Sequence, residues 1–402
     1  QGPSGQGDPP MRVALNGWFW HAPETGSGQY VRRLARALRT LPSPTRPELD
    51  VLVPRALSGD DHRLADAWDI RLHAHPISPT HLNKVWWEQV AVVRFAQRVK
   101  ADLLHIPYWA PPAVPPRRGG TKKRARMPVV VTVHDLIPRL LPAYRGGAAV
   151  RLYTALVSAT TRRVDLVLTD SDSSKADIIA SLGIPADCVR AIPLAVGEAY
   201  TSLSAPRDAE VRQRLELPDA YLLYLGGFDQ RKNLATLFAA FAIVRKHWES
   251  ARLVVAGKLP RSDTGFTPDP RRLAREAGIP AGAVRFLGFV AEDDKPALLR
   301  GATAFACPSI YEGFGYPCLE AIACGTPVVG SRTSSLPQVV GPAGVLLPPD
   351  DHAGMAGALL QLLVDADFRA ELEAATDQQA RRFSWRRTAD ETLAAYHSTL
   401  SP

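Results

Sequence analysis

The sequence predicts an α/β protein of two doubly wound domains, each a parallel sheet covered by helices, the two facing each other across a cleft. Three observations carry this. The chain has 402 residues, more than one ordinary α/β core holds and about right for two. From Met11 onward, short apolar runs alternate with longer amphipathic stretches. The short runs are apolar almost throughout, as strands buried on both faces are.

In chain order, residues 1–10 are set aside, because Gln1-Gly2-Pro3 reads as the scar of a cleaved tag. The first domain is expected over 11–200, with strands at 11–17, 49–54, 70–76, 101–107, 128–135, 166–171 and 189–196. Helices are expected between them, among them 28–41, 81–100 and 145–163. The second domain, 201–382, repeats the pattern with strands at 221–228, 251–257, 283–289, 303–308, 327–331 and 344–347. Residues 383–402 form one more amphipathic helix with no strand after it, returning toward the first domain.

Composition excludes several classes. Apolar residues make up 46% and charged ones 22%, ordinary for a globular protein. No run reaches the length of a membrane span, and no secretory leader opens the chain, which points to the cytoplasm. Cys188, Cys307, Cys318 and Cys324 lack metal-ligand spacing and lie in apolar stretches, so they read as small hydrophobes. Net charge is +8, but the segment Arg117–Arg126 holds six basic residues and no acid; without it the balance is +2. The basicity is one loop. It reads as a solvated insertion, or as a place for peripheral contact with anionic lipid on the inner membrane face or with an acceptor's pyrophosphate. It lacks interleaved aromatics, so no nucleic-acid partner is expected.

Ligands in such folds bind beyond the carboxyl ends of the strands. Just there, after 303–308, stands Glu312-Gly313-Phe314-Gly315-Tyr316-Pro317, followed by Glu320. The glycines permit close backbone approach, and Pro317 suits a helix start. The helix N-terminus would bind a diphosphate. Glu320, expected in the first helical turn, would accept hydrogen bonds from a ribose diol, and Glu312 would reach the hydroxyls of a sugar.

Two glutamates with seven residues between them in E-G-F-G-x-P-x-x-E-A resemble the hallmark of the family-four retaining glycosyltransferases of GT-B fold. Thr132-Val133-His134-Asp135-Leu136-Ile137-Pro138, Arg231-Lys232-Asn233 and Ser334-Ser335-Leu336-Pro337 follow the order of the bacterial mannosyltransferase-like branch. The resemblance implies a hexose, taken as mannose from GDP-mannose, moved from a nucleotide-sugar to a glycan or lipid-linked acceptor with retention. The departing phosphate oxygen would take the acceptor's proton, with no cofactor and no metal.

The resemblance also distributes roles. His134 contacts the donor sugar near the anomeric centre. Arg231 and Lys232 face the diphosphate and offset charge on the leaving nucleotide. Many relatives carry an arginine where this chain has Gly227, so Arg231 takes over part of that role. Gly28, in Gly26-Ser27-Gly28, lies by the diphosphate. Ser334 and Ser335 offer hydroxyls and N–H groups to phosphate while also capping a helix. The base sits near Phe289 and Val290. The acceptor is assigned to Asn83, Trp86 and Trp87, with one tryptophan packing inward and the other free to stack. Asp170-Ser171-Asp172 resembles a metal-binding D-x-D signature, but its place between a strand and a helix favours capping. A nucleotide-sugar epimerase or phosphorylase of the same fold, and a nucleic-acid binder acting through the basic loop, are the alternatives.

Overall fold

The computed structural model describes residues 10–117 and 126–400. The segment read as a tag scar and all but the two ends of the basic loop lie outside the described residues.

Two compact units divide the chain, one of residues 1–194 and 385–402, the other of 195–384. The break between them falls at Leu194 rather than after residue 200. In the first unit the strands are β1 (Arg12–Asn16), β2 (Glu48–Val53), β3 (Arg71–Ala74), β4 (Leu103–Ile106), β5 (Val129–Thr132), β6 (Leu166–Thr169) and β7 (Val189–Ala191). They form one sheet, ordered β3-β2-β1-β4-β5-β6-β7, with every pairing parallel. β4, β5 and β6 are buried at every residue, which is why they read as continuous apolar runs. The closing helix Trp385–Leu400 belongs to this unit, where Thr388 Oγ1 donates to the Pro193 carbonyl at 2.7 Å.

The second unit has β8 (Leu222–Leu225), β9 (Leu253–Ala256), β10 (Val284–Gly288), β11 (Ala304–Cys307), β12 (Val328–Ser331) and β13 (Gly344–Leu347). These also form one parallel sheet, ordered β10-β9-β8-β11-β12-β13. A core cluster packs Phe238 and Phe241 of the helix Leu234–His247 with Leu359 and Leu362 of the helix His352–Val364. Strand order reverses between β1 and β4 in one sheet and between β8 and β11 in the other. Chains leave such switch points on opposite faces and open a crevice there.

The helix expected over 81–100 is present without interruption from 81 to 98 and contains a π turn. It runs as His81–Trp86, a π turn Trp87–Ala91, and Val92–Arg98. The wider turn changes the register of the faces, and Trp87 and Glu88 are both buried as a result.

Candidate functional site

The richest site lies at the β8/β11 switch point of the second unit. After β8 the chain passes Gly226 and Gly227 into a single 3-10 turn, Gln230–Lys232, then into the helix Leu234–His247. Asn233 fixes that turn. Its backbone is left-handed (φ 52°), and its side-chain amide donates to the Pro308 carbonyl at 3.1 Å and the Pro349 carbonyl at 2.8 Å. The Ile310 N–H donates to the Arg231 carbonyl at 2.9 Å, so the loop after β11 is joined to the loop after β8.

Glu312 is the centre of this site. Its Oε1 accepts from Lys232 Nζ at 2.6 Å and from Ser309 Oγ at 2.7 Å, while Oε2 accepts from Arg231 Nη1 at 2.9 Å. Its backbone is held too, with the N–H donating to Ser334 Oγ at 2.8 Å and the carbonyl accepting from Ser335 Oγ at 2.9 Å. Burial alone would raise this carboxyl, but the Lys232 and Arg231 charges and their hydrogen bonds outweigh it and hold it at about 2. Arg231 and Lys232 thus both pair with Glu312. Ser334 and Ser335 anchor the backbone of the Glu312 loop, a role the sequence did not show.

Gly315 occupies the left-handed region (φ 92°) as the N-cap of the helix Tyr316–Ala323, and an added Cβ would stand 2.9 Å from Leu336 Cδ2. Phe314 is buried, with its ring packed edge-on to Tyr316 and to Phe383. Glu320 sits one turn later than expected, as the fifth residue of its helix, beyond the first-turn N–H groups. It is buried, and its charge, with that of Glu292, helps to hold the Tyr200 hydroxyl protonated beyond what burial does. Phe289 is exposed and Val290 buried. Gly227 accepts the Tyr224 hydroxyl at its carbonyl.

In the first unit, His134 follows β5. Its Nδ1 lies 2.7 Å from Asp170 Oδ2, and Tyr30 meets the imidazole edge-on with 4.8 Å between centroids. Burial lowers the imidazole pKa, but the Asp170 charge and hydrogen bond, with Asp135 and the Pro107 carbonyl, bring the net shift upward. Nε2 is buried. Asp170 is therefore an imidazole partner, which the D-x-D reading missed. Ser171 is the cap, accepting from the Ser174 N–H at 3.1 Å. Among the described residues, no group of three or more His, Cys, Asp or Glu is placed to hold a metal.

A buried polar chain lies behind His134. Tyr30 hydroxyl and Thr132 Oγ1 are 3.0 Å apart, Thr132 Oγ1 and His105 Nε2 2.8 Å, and His105 Nδ1 and the Tyr396 hydroxyl 2.7 Å. Burial keeps His105 neutral, lowering it to about 3. His105 reads as one more strand residue, so no sequence signal marked this chain.

Three first-unit candidates have structural partners of their own, and of the tryptophan pair it is Trp87 that packs inward. Gly28 has no room for a side chain, since a Cβ there would stand 2.0 Å from the Ala22 carbonyl oxygen. Trp87 is fully buried and donates Nε1 to Asn16 Oδ1 at 2.9 Å, so it offers no face to an acceptor. Asn83 spends its amide locally, on the Ser78 carbonyl at 2.9 Å. Trp86 is 39% exposed and stacks on His75 at 5.5 Å.

Comparison with known proteins fits this geometry. Residues 219–365 match the family model for glycosyl transferases group 1, and residues 25–195 match the glycosyl transferase 4-like domain. The O-antigen chain mannosyltransferase B of Escherichia coli is 34% identical over 269 residues, covering 66% of this chain and 69% of that one. The serotype-specific mannosyltransferase WbdA of the same organism is 32% identical over 264 residues, 65% of this chain. The match spans only 32% of WbdA's length. Among solved structures, the sucrose-phosphate synthase of Thermosynechococcus elongatus superposes with a TM-score of 0.72 at 22% identity, over 96% of this chain and 98% of that one.

Proposed function

Since the chain belongs to the group 1, 4-like glycosyltransferases, we propose that it transfers mannose from a nucleotide diphosphate donor with retention of configuration. The observation that supports this most is the clustering of Arg231, Lys232 and Glu312 at a switch point beside a glycine-lined helix start. Two cations on a rigid turn suit a diphosphate, whose negative charge grows as the sugar leaves. They are already placed, so no reorganisation is needed at the moment of bond cleavage. The departing phosphate oxygen takes the acceptor hydroxyl's proton, the sugar–phosphate bond breaks, and the new glycosidic bond forms on the same face. No carboxylate nucleophile is required.

On this reading the second unit holds the donor nucleotide, with Glu320 on the ribose, Gly313 and Gly315 along the phosphates, and Phe289 and Val290 near the base. The first unit supplies His134 to the sugar and Trp86 to a glycan or lipid-linked acceptor. GDP-mannose is the proposed donor because the relatives cited above are mannosyltransferases by name.

Thermal unfolding with GDP, UDP, ADP and dTDP, each at about 1 mM, tests this. A nucleotide at a hundredfold its Kd adds roughly 2.7 kcal/mol. GDP should stand out, and Glu320→Ala should abolish its shift. A folded Glu320→Ala protein that keeps the full GDP shift would remove Glu320 from the site. No shift with any nucleotide would refute the donor assignment.

A further inference from the structure

Between Ile137 and Val164 the chain carries Arg139, Arg145, Arg151, Arg162 and Arg163 and no acidic residue. Nothing in the transfer chemistry calls for this bias. The segment folds into two short turns and the helix Ala148–Thr161. The beginning of that helix is not packed. Residues 145–152 are exposed in an unbroken row, with Leu152 74% exposed and Val150 47%; Leu156, one turn on, is 46% exposed. Leaving three large aliphatic side chains in water on one helix is unfavourable unless something covers them.

A cavity of about 600 Å³ adjoins this tip, lined by Arg139, Arg145 and Arg151 with Pro138, Leu140 and Thr154 among others. Among the described residues none of the three arginines pairs with a carboxylate; Arg139 donates to the Ser181 carbonyl and Arg151 to the Gly146 carbonyl. Guanidinium groups around an open cavity suit phosphate oxygens, which they bind through two parallel hydrogen bonds. Apolar residues at a projecting tip with arginines beside them are the composition of a surface that lies in a lipid interface. The two ends of the basic loop meet near the other end of the helix: Arg117 and Arg126 form a bridge, and Arg126 reaches the Arg163 carbonyl and Asp165.

We propose that the start of the helix Ala148–Thr161 docks on an anionic membrane surface. Val150 and Leu152 enter the acyl boundary, and Arg139, Arg145 and Arg151 engage lipid phosphates. The docking does not depend on the transfer reaction, and it is read without donor or acceptor. The probe is flotation of the whole chain with phosphatidylglycerol vesicles and with phosphatidylcholine vesicles at low salt.

The protein should float with the anionic vesicles and stay behind with the neutral ones. The Val150→Ser, Leu152→Ser double variant and the Arg145→Glu, Arg151→Glu double variant should each weaken binding at least about tenfold. All these side chains are exposed, so the melting temperature should hold. Retained binding in both double variants would overturn the proposal. So would loss of binding on replacing Lys122, Lys123 and Arg124 with glutamine while both helix variants still bind. A dimer in light scattering that the Val150→Ser, Leu152→Ser variant dissolves, without vesicle binding, would assign the face to a second copy and also overturn it. Inorganic phosphate that competes with vesicles only through the arginines would support the phosphate contact.

Discussion

Asp170 holds His134 by its Nδ1, at 2.7 Å, and the other ring nitrogen, Nε2, is buried. The carboxylate fixes the ring and favours the imidazolium against the cost of burial.

Replacing Asp170 with asparagine removes the charge and leaves burial to act alone, so the His134 pKa should fall. An NMR titration of the His134 ring reads this directly. A lost charge-assisted hydrogen bond of about 1.5–3 kcal/mol corresponds to a roughly 10- to 100-fold drop in kcat. An unchanged His134 titration would show that Asp170 does not set its charge.

Glu312→Gln should uncover Arg231 and Lys232. Breaking so buried a pair from one side costs roughly 3 kcal/mol of stability. A nucleoside diphosphate supplies replacement charge, so its stabilising shift should be larger in the variant than in the wild type. A smaller shift in thermal unfolding would mean that the diphosphate does not meet these cations.

Gly28→Ala tests whether that glycine packs or binds. The clash with the Ala22 carbonyl predicts a loss of roughly 1–3 kcal/mol with nucleotide affinity intact. Loss of affinity in a protein of unchanged melting temperature would return Gly28 to the donor site.

The tryptophan pair should separate by experiment. Trp87→Ala empties a fully buried position and should cost about 3–5 kcal/mol. Trp86→Ala should change stability little and raise KM for the acceptor while KM for the donor holds. Equal KM values for wild type and Trp86→Ala would take Trp86 out of acceptor binding.

Several buried groups shape the acid limb of stability, His105 and Glu312 among them, with Asp50 and Asp61 shifted like Glu312. His105 titrates at about 3 folded against 6.5 unfolded, so the unfolded chain binds more protons in that window and stability falls as pH drops below 6.5. Glu312, at about 2 against 4.5, adds a second loss that begins below pH 4.5. In urea unfolding across pH, His105→Phe should flatten the first limb, and Glu312→Gln should reduce the second, to which Asp50 and Asp61 also contribute. A first limb left intact in His105→Phe would place its origin elsewhere.

Much of this molecule was legible without coordinates. Strands such as 166–169 and 304–307 are apolar because both faces are covered, and that pattern is local in sequence. The Glu312–Glu320 spacing and the cations at 231–232 also sit within short stretches, where residue type and order suffice. Asp170 was visible too, but its neighbours Ser171 and Asp172 made a cap the simpler reading.

What the sequence by itself determined is the alternation that makes two parallel sheets, and the residue types standing at the ends of their strands. Tertiary structure alone decided which of those residues meet. Glu312 and Lys232 are eighty positions apart, and only parallel pairing of β8 with β11 brings their loops together. Trp86 and Trp87 are adjacent and chemically alike, yet a π turn sends one inward and leaves the other in solvent. Periodicity encodes which faces are apolar, but the contacts that close over a face come from chain segments far away, and burial, charge pairing and pKa follow from those contacts.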